Sequence, residues 1–292
     1  MNALNLKFAK MHGNGNDFIV IDNMESRHTT EDLSRFARLL CRRKFSIGAD
    51  GLLVVERAER RLEARADFAM RIFNSDGSEG EMCGNGARAL ARYAFEKKLA
   101  GASMCFTTPA GPMRATVEPP CAELDMGEQN LAEGALVFGQ KLRAQGMEFP
   151  FVFLTVGVPH CVLFPEDCES LSAEAKTLVG REVSHDFSRF PEGANVSFAQ
   201  VLSENEIWAV TYERGVEDLT ESCGTGCVAV AVATAVVRKI EMNAEAVTFR
   251  VHNPGGTSEV RLSFVPGRAC RAWLKGETAL VAEGEIFEDA WL

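Results

Sequence analysis

Apolar and polar residues follow two different periods along this chain. "DFIVID" (Asp17–Asp22) and "GLLVVE" (Gly51–Glu56) are short β-branched runs bounded by Gly, Asp and Asn, and they predict strands. Between them, "TTEDLSRFARLLCRRK" puts Leu33, Phe36, Ala37 and Leu40 at i, i+3, i+4 and i+7, one face of a helix. Thr29 and Asp32 predict a capping box at its start, with arginines in the last turn. "ADFAMRIF" (Ala66–Phe73) alternates as a strand, and further strands are expected around Cys105 and over Met113–Glu118. The second half repeats the plan. Strands are expected near Phe151–Val156, Ala194–Leu202, Glu206–Tyr212, Ala246–Val251 and Glu259–Phe264, and helices near Leu171–Val179 and from Thr225 onward. "EPP" (Glu118–Pro120) is the candidate crossing between domains. The expected division is 1–120, joined by a returning C-terminal strand at 278–292, and 121–277.

One segment carries both periods. "VAVAVATAVV" alternates strictly, which is a strand signal. A repeat decides it as a helix. "EMCGNGARALARYAFEKK" (Glu81–Lys98) aligns with "ESCGTGCVAVAVATAVVRK" (Glu221–Lys239), matching Glu81/Glu221, Cys83/Cys223, Gly84/Gly224, Gly86/Gly226, Ala89/Ala229 and Ala91/Ala231. The first copy has the helical spacing Ala87, Leu90, Ala91, Ala94, so the second is expected to be a helix buried on every side.

Each copy sets a cysteine and a G-x-G at the mouth of a helix. The first-turn N–H groups there lack intrahelical partners and the helix dipole is positive. Each turn is therefore expected to attract an anion and to lower the pKa of its thiol. One such turn is a common helix start. Two in equivalent places point to a carboxylate whose α-carbon lies between two thiols. A thiolate on one face removes the α-proton and a thiol on the other returns one, with the turn amides stabilising the enediolate-like transition state. No Lys-centred pyridoxal site is recognisable, so the work is expected to fall on those donors and on exclusion of water.

Composition narrows the setting. The 292 residues are 46% apolar and 25% charged, and a formal charge of −10 argues against nucleic-acid or anionic-membrane partners. "CRRK" (Cys41–Lys44), the densest basic cluster, reads as compensation of a helix dipole. "MNALNLKFAKMHG" has no apolar core segment of a signal peptide, and the longest apolar run, Cys227–Val237, is short of the roughly 18 residues of a spanning helix. Nine scattered cysteines without a C-x-x-C suggest reduced thiols in the cytoplasm rather than a disulfide framework.

"FAKMHGNGNDFIVID" (Phe8–Asp22), "IGADGLLVVE" (Ile47–Glu56), "RIFNSDGSEGEMCGNGAR" (Arg71–Arg88), "VGVPHCV" (Val156–Val162), "NVSF" (Asn195–Phe198), "YERG" (Tyr212–Gly215) and "SCGTGC" (Ser222–Cys227) together resemble the diaminopimelate epimerase family, in order and over essentially the whole chain. The resemblance implies an α/β (α+β) fold of two pseudo-symmetric domains, each a mostly antiparallel sheet or barrel around a central helix, with the active site in the cleft between them. It implies a cofactor-independent isomerase acting on a small amino acid in lysine and peptidoglycan-precursor biosynthesis, with no metal; a homodimer is left open. Cys83 and Cys223 match the two acid/base thiols. Asn16, Asn74, Asn195, Glu213 and Arg214 match substrate-holding positions. The amides of Gly84, Asn85, Gly224 and Thr225 match those gripping the reacting carboxylate, and His160 with Glu213 match residues that tune the thiols.

Three departures concern the substrate. Val158 precedes Pro159 where the family commonly has a substrate-binding Asn, Gly51 stands where many members carry Gln, and the loop between Gly215 and Cys223 is one residue longer than expected. Val158 can neither donate nor accept a hydrogen bond, so a racemase of another amino acid is the alternative on the same scaffold. A thiol redox or metal-binding protein using Cys83, Cys223, Cys227 and His160 is a reading of another class; an amino-acid-binding protein, which has no need of two thiols, is a third.

Overall fold

The computed structural model describes residues 6–58, 66–132, 134–240, 246–265 and 269–291. The start of the N-terminal segment lies outside them; the rest of it is a strand. The chain forms two compact units, Met1–Asp125 with Gly276–Leu292, and Met126–Lys275.

The first unit comprises β1 (Leu6–Gly13), β2 (Asn16–Asp22), α1 (Thr30–Leu40), β3 (Gly51–Glu56), β4 (Phe68–Asn74), β5 (Glu79–Gly80), α2 (Gly84–Glu96), β6 (Ser103–Thr108), β7 (Gly111–Glu118) and the start of β8 (Cys121–Asn130). The second contains β9 (Val137–Ala144), β10 (Met147–Val156), β11 (Val158–Leu163), α3 (Ala173–Ser184), β12 (Asn195–Val201), β13 (Glu206–Glu213), β14 (Asp218–Thr220), α4 (Gly224–Val237), β15 (Val247–Asn253), β16 (Gly256–Val265) and the first part of β17 (Ala269–Ile286). The chain passes between units within β8 and again within β17.

In the first unit β1 pairs antiparallel with β17 and β2, β2 runs parallel to β3, and β3 antiparallel to β4. β4 runs parallel to β6, followed by the antiparallel pairs β6–β7 and β7–β8. β8 also pairs with β17, so the eight strands close into a barrel. The second unit repeats the sequence: β10 antiparallel to β11, β11 parallel to β12, β12 antiparallel to β13, β13 parallel to β15, β15 antiparallel to β16. Each parallel step is crossed by a helix, as parallel pairing requires.

The helices sort by how much of their surface is apolar. α1 begins with the capping box expected of Thr29 and Asp32 and buries one face, Leu33, Phe36, Ala37 and Leu40, against Ile19, Ile21, Leu52 and Val54. α2 and α4 are central, touching strands all round them. α4 buries every residue from Gly226 to Ala235, the reason its Val/Ala alternation is compatible with a helix: no side of it needs to be polar. "GLLVVE" is a continuous apolar run for the same reason, since β3 is covered on both faces.

Candidate active site

Cys83 and Cys223 are the N-cap residues of α2 and α4. Each has extended backbone angles (φ −139°, ψ 122° and φ −113°, ψ 112°), and each sulfur accepts the N–H of the third helical residue, Gly86 or Gly226, at 3.4 Å. The sulfur thus fills the role usually given to a Ser or Asp oxygen. Neither helix has an acidic residue in its first turn, so the positive end of each dipole is uncompensated. Gly84 and Asn85, like Gly224 and Thr225, occupy the first two helical positions, where amide hydrogens have no intrahelical acceptor.

The second glycine of each G-x-G has a steric cause. A Cβ on Gly86 would lie 2.9 Å from Leu53 Cδ2, and one on Gly226 would lie 2.8 Å from Thr211 Oγ1 and 3.2 Å from the Cys223 sulfur. Both helices start close to a neighbouring strand, so a side chain there would have to displace Leu53 or Thr211.

Around Cys83 the first unit places Asn16, whose Oδ1 is 3.7 Å from the sulfur, and Asn85, whose Nδ2 is 3.4 Å from the same oxygen. Asn74 ends β4, with its Nδ2 donating to Ser78 Oγ at 2.9 Å. Around Cys223 the second unit places Thr225, with its hydroxyl 3.6 Å from the sulfur, and Glu213. Asn195 Oδ1 accepts the Arg214 backbone N–H at 2.9 Å, and the Arg214 guanidinium reaches the Glu192 carbonyl. The site residues named from sequence therefore fall into two sets, one in each unit.

The electrostatics correct one expectation. The Cys223 thiol is not lowered: burial pushes it well above the ordinary cysteine value, the Glu213 charge adds to this, and the Thr225 hydroxyl and Gly226 amide offset only part. Desolvation and a neighbouring carboxylate outweigh the helix end. Burial likewise pushes Glu213 up, against hydrogen bonds from Thr220 (2.6 Å) and Cys223. His160 is fully buried on β11 with neither ring nitrogen hydrogen-bonded among the described residues; burial first, then the Arg214 charge, push it down to about 3, so the ring is neutral.

Strand registers equate the two units. Phe18, Gly51 and Asn74 face one another across β2, β3 and β4. His160 and Asn195 face across β11 and β12, and the Val196–Tyr212 register continues to Glu213. Gly51 thus corresponds to Asn195, Asn74 to Glu213, and Val158, opening β11, to Asn16, opening β2. Two residues went unnoticed in the sequence: Asp50, which binds Asn16, and Thr220, which binds Glu213. Both lie in stretches read only for an adjacent Gly or for loop length. None of the nine cysteines is in a disulfide, Cys227 donates to Asn253 Oδ1 at 3.0 Å, and no metal-binding cluster of three His, Cys, Asp or Glu exists among the described residues. No described helix is long and apolar enough to cross a membrane.

A family model described as diaminopimelate epimerase matches residues 8–132 and 152–269. Diaminopimelate epimerase from Methanothrix thermoacetophila is 38% identical, with 97% of each chain covered, and that from Archaeoglobus fulgidus 36%, with 92% of this chain and 95% of the relative covered. Among solved structures, a PhzF-family phenazine biosynthesis protein from Bacillus anthracis superposes with a TM-score of 0.74 at 15% identity, covering 98% of this chain and all of that one. A hydroxyproline epimerase from Agrobacterium vitis gives 0.66 at 16%, covering 97% and 93%. These likenesses establish the fold, one of two pseudo-symmetric domains.

Proposed function

This chain belongs to the diaminopimelate epimerase family, and from that premise we propose that it interconverts LL- and meso-2,6-diaminopimelate with Cys83 and Cys223 as the two bases. One thiolate removes the α-proton while the thiol of the other cysteine delivers a proton to the opposite face, so configuration inverts without net consumption of protons. The α-carboxylate is held by the amides of Gly84, Asn85, Gly224 and Thr225, whose donors stabilise the negative charge that builds as the proton leaves. Asn74, Asn195 and Arg214 hold the distal carboxylate, and Glu213 the distal ammonium. His160 and Glu213 set the state of the thiols. No cofactor takes part, and the reducing cytoplasm suits a reaction that needs two free thiols.

The observation that carries this reading is the duplicated helix start: the same sulfur cap, at the same 3.4 Å, on the central helix of each unit. A binding protein has no use for the second copy. Val158 favours one alternative, a racemase of an amino acid with a less polar side chain, because it brings no hydrogen-bonding group where its counterpart Asn16 does.

Incubation in deuterated water with single amino acids tests both. Label is expected at the α-carbon of diaminopimelate, in reductant and in the presence of chelator. Label in another amino acid but never in diaminopimelate sinks the proposal in favour of the alternative. Cys83→Ser and Cys223→Ser are each expected to abolish racemisation, and an active single variant contradicts the two-base scheme.

A further inference from the structure

Asn16 spreads its two amide atoms over different partners. Nδ2 lies 2.7 Å from Asp50 Oδ2, while Oδ1 lies 3.7 Å from Cys83 Sγ and 3.4 Å from Asn85 Nδ2. The two ends of a carboxamide have nearly the same shape, so the neighbours decide which is which. An ionised carboxylate only accepts hydrogen bonds. The atom beside Asp50 must therefore be the NH2, and the atom beside the sulfur the carbonyl oxygen. The NH2 of Asn85 requires the same arrangement.

Asp50 is itself fixed. Its Oδ2 also accepts the Asp17 N–H at 3.2 Å, its Oδ1 takes Arg43 Nη2 at 2.8 Å, and its own N–H reaches the Asp17 carbonyl at 3.0 Å. Arg43 Nη2 also binds Asp17 Oδ1 at 2.6 Å, and Lys10 binds Asp17 Oδ2 at 2.6 Å. Partial burial raises the Asp17 carboxyl, but Arg43 and Lys10 overcome it and hold it at about 2. The arginine thus bridges two carboxylates, and one of them grips Asn16.

We propose that Asp50 is a positioning residue for the first thiol: by binding the amide nitrogen of Asn16, it obliges Asn16 to present its carbonyl oxygen to Cys83. That oxygen accepts S–H and repels a thiolate, so it favours the protonated sulfur. The second unit achieves the same end by other means. Val158 replaces the carboxamide at the equivalent place, and Glu213 supplies the acceptor to Cys223. The inference rests on Cys83 being an acid/base thiol, but its test needs no substrate.

The test is the pH dependence of alkylation by iodoacetamide in the intact protein, read separately at Cys83 and Cys223 by peptide mass spectrometry. The charged groups on the Asp50 side are Asp17, Lys10 and Arg43; the Cys83 sulfur meets Asn16 Oδ1 and the Gly86 N–H, and Asn85 Nδ2 meets that same Asn16 oxygen. Asp50→Asn gives Asn16 a partner that can accept or donate and leaves the longer 3.4 Å contact from Asn85 Nδ2 to hold its orientation, so the Asn16 NH2 can turn to the sulfur. The Cys83 midpoint is expected to fall by about one pH unit, a roughly tenfold faster reaction below it, with Cys223 unmoved. Asp50→Glu, which keeps the carboxylate, is expected to restore the original midpoint. An unmoved Cys83 in folded Asp50→Asn overturns the proposal, as does an equal shift at both cysteines. Should Asp50→Asn not fold, Asn16→Leu removes the oxygen outright and must move Cys83 in the same direction; no shift there is equally fatal. A Cys83 shift in protein that epimerises nothing sinks the diaminopimelate reading and leaves this one standing.

Discussion

Gly226→Ala separates the stability of the fold from the placement of the second thiol. The added methyl would sit 2.8 Å from Thr211 Oγ1, 3.1 Å from Cys223 Cβ and 3.2 Å from its sulfur. Thr211 is buried and tied to Ser197 through a 2.8 Å hydroxyl contact, so it has little room to retreat. Relief has to come from Cys223. Overpacking of this kind costs about 1–3 kcal/mol, and alanine returns about 1 kcal/mol over glycine within a helix. The net loss of stability is thus about 0–2 kcal/mol, small enough for the protein to remain folded. A thiol displaced by about 1 Å loses on the order of 100-fold in rate. Denaturant melts measure the first quantity and deuterium wash-in at the substrate α-carbon the second. A folded variant that exchanges its substrate at the original rate refutes the claim that this glycine is there to seat the sulfur. Gly86→Ala is the internal comparison: its methyl meets the terminal Cδ2 of Leu53 at 2.9 Å and the Cys83 Cβ only at 3.6 Å, so the rate should fall by less than about tenfold.

Two further outcomes follow from the charges. Glu213→Gln removes one of the causes that raise the Cys223 thiol, the largest after burial, so the pH midpoint of Cys223 alkylation should fall while that of Cys83 stays; an unchanged Cys223 midpoint means the Glu213 charge does not raise it. His160 binds a proton at about 3 when folded and near 6.5 when unfolded, so the unfolded chain takes up more protons between those values. Stability should therefore decline as pH falls from 6.5 towards 3, by up to roughly 1.4 kcal/mol per pH unit from this group, and level below. His160→Leu should flatten that part of a stability-against-pH series, and an unaltered slope contradicts the buried neutral ring.

The sequence made the α1 helix legible to its capping box, because Thr29, Asp32 and the apolar face are all local signals. α4 was legible only through the repeat, since its own alternation argues for a strand and the barrel that surrounds it is non-local. β17 was hardest. Its eighteen residues alternate between buried and exposed, yet they include Lys275, Glu277, Glu283 and Glu285, and only its tail was expected as a strand. At the site, the cysteines and glycines could be read because their spacing is the signal. The partners of each thiol come from strands far along the chain, and nothing local marks Asp50 or Thr220 as neighbours of Asn16 and Glu213. The direction of the Cys223 shift was misjudged for the same reason: a helix end is visible in sequence, and burial beside a carboxylate is not.

The path of β17 has a consequence for biosynthesis. A ribosome releases the N-terminal barrel almost complete, but the strand that covers β1 emerges only after the whole of the second unit. Until then β1 presents an open row of backbone donors and acceptors, a template for unwanted pairing. The portion made first is thus completed only after the second unit has been made, and truncation after Lys275 should leave a nascent-like species that aggregates instead of a smaller stable protein.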